Sequence, residues 1–167
     1  DYDDLYKKSD IKIGYVLRFN PCIQWVKSNI NPSQISKIYA EYQSNTIQKK
    51  PVGWRNGNYS GVLNEMGSHI LDLIFYITES NNFSVNDSDK KSIYSDVDDI
   101  INSNIKDNKN QIDISLYFNW VNEKIRKPVF NINIELKNQD KILVNQQIIK
   151  IVNKNNFIKK QISISDL

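Results

Sequence analysis

Cysteine, histidine and methionine are nearly missing from this sequence: each occurs once in 167 residues. Cys22 alone cannot form an intramolecular disulfide or a thiolate metal cluster. No metal site is therefore expected, and a reducing, cytoplasmic setting is. Long apolar runs are missing too. None approaches the roughly 20 residues that span a bilayer as a helix, and no segment has the basic, apolar and small-residue order of a secretory leader. No membrane partner is expected. Lysine and arginine form no dense block; the net charge is only +3, and the lysines are scattered among Asp and Asn. That excludes the basic footprint of a nucleic-acid binder. Lys150, Lys154, Lys159 and Lys160 come nearest to one and read as a solvated strand edge. Glycine is scarce, at 5 residues. None belongs to a Gly-x-Gly-x-x-Gly turn between a strand and a helix, so this stretch offers no cradle for a dinucleotide phosphate. The chain also starts at Asp1 rather than Met, and is read as a piece of a longer protein.

What is present suffices for one domain with a real core. Hydrophobic residues are 40% and charged residues 25%, ordinary values for a globular fold. Residues 3–10 read as the end of a helix. Residues 11–19 alternate through Ile11, Ile13, Tyr15 and Leu17 against Lys12 and Arg18, which predicts a strand. Asn20-Pro21 breaks it and starts a helix, with Asn20 as N-cap and Ile23, Val26 and Ile30 at helical spacing. Residues 37–46 alternate again, with Ile38, Ala40 and Tyr42 on one side. A loop follows over 47–60, then a helix over 61–77, then a polar loop over 80–92. From there the chain reads as strands: 95–107, 111–120, 129–138, 141–152 and 157–165, joined by short, hairpin-like connections. The strict alternation of Ile112, Ile114, Leu116, Phe118 and Trp120 implies a sheet with one face covered and the other open. The expected fold is α+β: a mostly antiparallel open sheet of about five or six strands, with two or three helices on one face.

Chemistry concentrates on the helix "GVLNEMGSHILDLIFYI" (61–77), which holds the only histidine. Val62, Met66, Ile70, Leu73, Ile74 and Ile77 form its apolar stripe. Glu65, His69, Asp72 and Tyr76 fall on a second, polar stripe. Gly67, inside the helix, costs roughly 1 kcal/mol relative to alanine and predicts close approach of another backbone or a ligand. In the preceding loop, Trp54 and Arg55 read either as a cover over the core edge or as the wall and clamp of a ligand site.

Beyond these readings, "IGYVLRFNP" (13–21), "WVKSNI" (25–30), "SKIYAEY" (36–42), "GWR" (53–55), "SGVLNEMGSHILDLIFYI" (60–77) and "DVDD" (96–99) resemble, in order and spacing, the Gfo/Idh/MocA oxidoreductases. That resemblance implies an N-terminal Rossmann domain followed by a C-terminal sheet domain, with NAD or NADP acting on a sugar, nucleotide sugar or polyol. By it, residues 1–19 are the end of the Rossmann domain and 20–167 the C-terminal domain. His69 stands on the family's catalytic histidine, Glu65 where an aspartate is usual, and Asp72 on the acid that follows. Arg18 and Pro21 match an Arg-Phe-x-Pro stretch at the domain junction. Tyr59 and Ser60 replace two of three consecutive glycines, leaving Gly61. The family's Glu-Lys-Pro lysine has no counterpart.

The implied roles are chemically coherent. Oxidising a secondary alcohol sends a hydride to the cofactor and the hydroxyl proton to a base. An imidazole, with an ordinary pKa near 6.5, suits that step. The resemblance therefore implies His69 and Glu65 as catalytic residues and Asp72 as a substrate-binding one; Trp54, Arg55 and Arg18 are expected to bind substrate in the same cleft, because the loop over 47–60 leads directly into that helix. No cofactor is expected on this piece alone, and it is expected to be inactive by itself. Self-association through the open sheet face is expected. The rival reading is a non-catalytic dimerisation module that kept the fold. A third is an unrelated small-molecule domain, which requires Glu65 and His69 to face the core.

Overall fold

The computed structural model describes residues 14–57 and 60–167. Its centre is a sheet of 8 strands: β1 (Ile35–Gln43), β2 (Phe83–Lys91), β3 (Ile100–Asp107), β4 (Ile112–Asn119), β5 (Val129–Leu136), β6 (Lys141–Asn145), β7 (Ile148–Val152) and β8 (Ile158–Ser163). The spatial order is β2-β3-β4-β1-β5-β6-β7-β8. Neighbours are antiparallel except β1 and β4, which run parallel in register from Lys37 opposite Asp113 to Gln43 opposite Asn119. A parallel pair needs a long crossover, and the chain between β1 and β4 supplies one that contains the main helix.

Two α-helices cover one face: α1 (Pro21–Asn29) and α2 (Ser68–Thr78). Asn20 caps α1 by accepting the Cys22 N–H at 2.9 Å, with Pro21 in the first turn, as its sequence predicts. Cys22, Ile23 and Val26 of α1, and Ile70, Leu73, Ile74 and Ile77 of α2, join Ile38, Ala40, Ile114, Phe118, Ile132, Ile134 and Ile142 in one buried core. The opposite, helix-free face mixes polar and apolar surface. Lys37, Tyr39, Asp113, Asn133, Leu143 and Val152 are among the residues that line a shallow concavity of about 400 Å³ on it. Among the described residues no helix is long and apolar enough to cross a membrane, and no group of His, Cys, Asp and Glu is placed to hold a metal.

Four expectations are corrected. The described part of the predicted 11–19 strand is not extended: Val16–Phe19 is a 3-10 turn running into Asn20. The helix at 3–10 and the start of that strand lie outside the described residues. The polar loop expected over 80–92 contains β2, an edge strand whose side chains are nearly all exposed, so no apolar alternation marks it. The single strand expected over 141–152 is a hairpin. Its turn has no Gly or Pro; instead Asn145 Oδ1 accepts the N–H groups of Gln147 and Ile148, both at 2.9 Å. These last two changes raise the strand total to 8. Finally, the close neighbours of Gly67 are side chains rather than another backbone. A Cβ there would meet Leu63 Cδ1 at 2.9 Å and Phe118 Cε2 at 3.0 Å, so the glycine lets the helix sit directly on β4.

Candidate functional site

The helix bearing His69 does not begin as an ordinary α-helix. Leu63–Gly67 forms a wider π-helical turn, in which the Ser68 N–H donates to the Leu63 carbonyl. Turns of this kind add a residue to the winding and recur at functional sites. Here the turn places Glu65, Met66 and His69 along one side of a cleft of about 190 Å³. The other side comes from the end of β1 and the segment after it, through Tyr42, Ser44 and Thr46, with Pro128 and Arg55 completing the rim.

Within this cleft Glu65 pairs with Arg55, whose Nε lies 3.1 Å from Oε1 and 3.3 Å from Oε2. Arg55 reaches it from the 3-10 turn Gly53–Asn56. That turn is held down by buried Ser60, whose Oγ donates to the Arg55 carbonyl at 2.7 Å. His69 is half-buried, with its ring edge-on to Tyr15 at 5.9 Å between centroids. Its Nδ1 is buried and has no hydrogen-bond partner in the structure. The imidazole as a whole lines the cleft beside Glu65 and Met66. The hydroxyls opposite are close together: Ser44 Oγ and Thr46 Oγ1 lie 2.8 Å apart, and Ser44 Oγ is 3.4 Å from Met66 Sδ. Burial pushes the Tyr42 phenol up, so it stays a neutral hydroxyl at working pH.

Arg18 and Asp72 lie elsewhere. Arg18 Nε donates to Asp72 Oδ2 at 2.7 Å and its Nη2 to Oδ1 at 2.5 Å, a two-pronged bond to a carboxylate only 6% exposed. The bond to Asp72 raises the Arg18 guanidinium pKa further, outweighing burial. The guanidinium also lies 5.2 Å from the centre of the Tyr76 ring, and Gln24 Nε2 donates to Tyr76 Oη at 3.1 Å. This network ties the Val16–Phe19 turn and α1 to α2, and neither Arg18 nor Asp72 is among the residues lining the cleft. Trp54 belongs to the same turn as Arg55, but its predicted place on the wall lies outside the described residues.

The sequence reading thus names three members of the cleft, Glu65, His69 and Arg55, and misses Tyr42, Ser44, Thr46 and Pro128. Tyr42 carried a signal, since it ends the inward side of an alternating strand. The others are brought in by strand pairing, which a linear pattern does not show. Glu65 bonds Arg55 and lines the cleft together with His69.

No protein-family model and no curated protein matches the sequence. Solved structures do. A levoglucosan dehydrogenase in complex with NADH and L-sorbose aligns over 96% of this chain and 48% of its own, with a TM-score of 0.75 at 17% identity. A UDP-N-acetylglucosamine 3-dehydrogenase from Acidithiobacillus ferrooxidans aligns over 92% of this chain and 45% of its own, with a TM-score of 0.67 at 16% identity. A dehydrogenase from Clostridium difficile gives 0.67 at 15% identity over 88% of this chain. The chain has the fold of the C-terminal half of Gfo/Idh/MocA-type dehydrogenases. It spans about half the length of the structures it matches and shares their α+β sheet architecture.

Proposed function

We propose that this chain is the substrate-side domain of an NAD(P)-dependent oxidoreductase acting on a sugar, nucleotide sugar or polyol. The observation that carries the reading is the His69 imidazole lining a cleft walled by Tyr42, Ser44, Thr46 and the Arg55–Glu65 pair. The fold shared with sugar dehydrogenases adds to it. In the proposed reaction a substrate hydroxyl hydrogen-bonds His69, which takes its proton as the carbinol carbon is oxidised and returns it in reduction. Glu65, held by Arg55, accepts from a neighbouring hydroxyl and fixes the ring's orientation. The hydroxyls across the cleft supply further partners for a polyhydroxylated molecule.

The hydride belongs to a nicotinamide dinucleotide, and the described residues do not build a site for one. The glycines at 14, 53, 57, 61 and 67 lie in turns and in the helix start, none of them in a strand-to-helix phosphate loop. The cofactor half would be supplied by a domain outside this stretch, with residues 1–19 as the end of it and 20–167 as the domain described here. The choice between NAD and NADP is set there. A cytoplasmic setting and self-association through the helix-free face complete the proposal. That face offers Tyr39, Tyr117 and a row of Asn and Ser side chains.

In the enzyme that joins this chain to its cofactor domain, His69→Ala should lower kcat by roughly 10²–10⁴-fold, the usual loss for a general base, with little change in melting temperature. Intact turnover with a lowered melting temperature would make His69 a packing residue and overturn the proposal.

A further inference from the structure

The Asp98-Asp99 pair of the "DVDD" segment has no place in the cleft, yet both cleft walls hang from it. Asp98 Oδ2 accepts the Leu63 N–H at 2.9 Å, and its carbonyl accepts the Val62 N–H, also at 2.9 Å. Val62, the local cap position, makes no side-chain cap bond of its own, so the first donors of the π-helical turn are met from 35 residues downstream. Gly61 makes room for this. It sits at φ +127°, and a Cβ there would meet both Asp98 carboxylate oxygens at 2.7 Å. The Gly61 carbonyl in turn accepts the Glu65 N–H at 3.0 Å.

Asp99 faces the other way. It is fully buried, accepts the Trp120 indole N–H at 2.6 Å, and takes the N–H groups of Tyr94 and Ser95 at 2.7 and 3.0 Å. The Trp120 carbonyl accepts the Ile47 N–H at 3.1 Å, and its neighbour Asn119 accepts the Ser44 N–H at 2.8 Å. One carboxylate therefore fixes the turn that presents Glu65 and His69. The next fixes the strand end that carries the hydroxyl wall.

We propose that Asp98 is a positioning residue for His69: its carboxylate, seated against Gly61, accepts the Leu63 N–H and so sets where the π-helical turn, and hence the imidazole, stands in the cleft. This inference rests on the reading of His69 as the proton-transfer group. Because His69 is the only histidine, a histidine-labelled sample of the whole chain reports its ring alone by NMR. The Tyr15–His69 ring contact gives a second reporter. In Asp98→Ala the ring nitrogens should shift and the cross-peak to Tyr15 should weaken, with a loss of a few degrees in melting temperature. Asp98→Asn keeps an oxygen for the Leu63 N–H and should restore both signals. Gly61→Ala keeps the carboxylate but displaces it, and should reproduce the Asp98→Ala ring shift even if Asp98→Ala fails to fold. A lowered melting temperature with an unmoved ring would make Asp98 a helix cap and nothing more, overturning the proposal. So would a ring displaced as far in Asp98→Asn as in Gly61→Ala. The readout needs no turnover, so a failure here leaves the His69 assignment standing, and a failure of His69→Ala to slow the enzyme leaves the geometry standing.

Discussion

The two acid–arginine pairs on the helix that carries His69 invite comparison, because in the sequence they look alike. Glu65 and Asp72 lie on the same polar stripe, and each bonds an arginine from an earlier segment. Their surroundings differ. Asp72 is 6% exposed and gripped by both prongs of Arg18, with Tyr76 and Gln24 closing the network. Glu65 is 19% exposed, its contacts to Arg55 are longer, and it lines the cleft together with His69. Short bonds to a buried carboxylate lock elements together. Looser bonds beside a cavity leave a carboxylate available to a ligand.

That contrast gives a ranked set of outcomes. The largest is expected for Asp72→Ala, which removes the acceptor from a charged, two-pronged bond. It should cost about 1–3 kcal/mol in chemical denaturation while turnover per folded molecule stays near wild type. An equal loss of turnover without destabilisation would move Asp72 into the site. Glu65→Gln should do the reverse, with stability within about 0.5 kcal/mol and kcat down by about tenfold, equivalent to 1.4 kcal/mol. Arg18→Lys comes next. An ammonium cannot reproduce the fork, so a loss of about 1 kcal/mol is expected in the same denaturation assay, with KM unchanged.

A gentler test uses pH. Burial alone would push the Asp99 carboxyl up, but its bonds from Ser95, Ile93 and Trp120 outweigh it and hold the group below the usual carboxylate range. A group depressed in the fold contributes stability above its unfolded pKa of about 3.9, and that contribution fades as pH falls through the folded value. Melting temperature should therefore be insensitive to Asp99 from neutrality to about pH 4 and drop below it, with a shallower drop in Asp99→Asn. The same acid slope in both proteins would remove Asp99 from the account.

Periodicity made the covered face of the sheet legible. The alternation through Ile112 to Phe118 and the cap at Asn20-Pro21 each correspond to an observed element. It failed where burial is one-sided or absent. β2 is an edge strand with little beneath it, and the turn between β6 and β7 rests on an Asn side chain rather than on Gly or Pro. The site was half legible. Glu65 and His69 share a helix and Arg55 leads into it, so local spacing found them. Tyr42, Ser44 and Thr46 enter through the parallel pairing of β1 with β4, and Asp98 acts across the chain on a helix start. No local pattern carries such long-range pairing. Spacing also merged Asp72 with Glu65, because a stripe on a helix says nothing about which part of it is covered.

The most direct measurement is a ligand titration that reads both regions at once. A panel of sugars, polyols and nucleotide sugars would be added in turn to the isotope-labelled protein while the rings of His69 and Tyr76 are followed by NMR. The account predicts that at least one of them moves the His69 signals saturably and leaves Tyr76, inside the Arg18–Asp72 clamp, in place. Saturable movement at Tyr76 with His69 unmoved would contradict it.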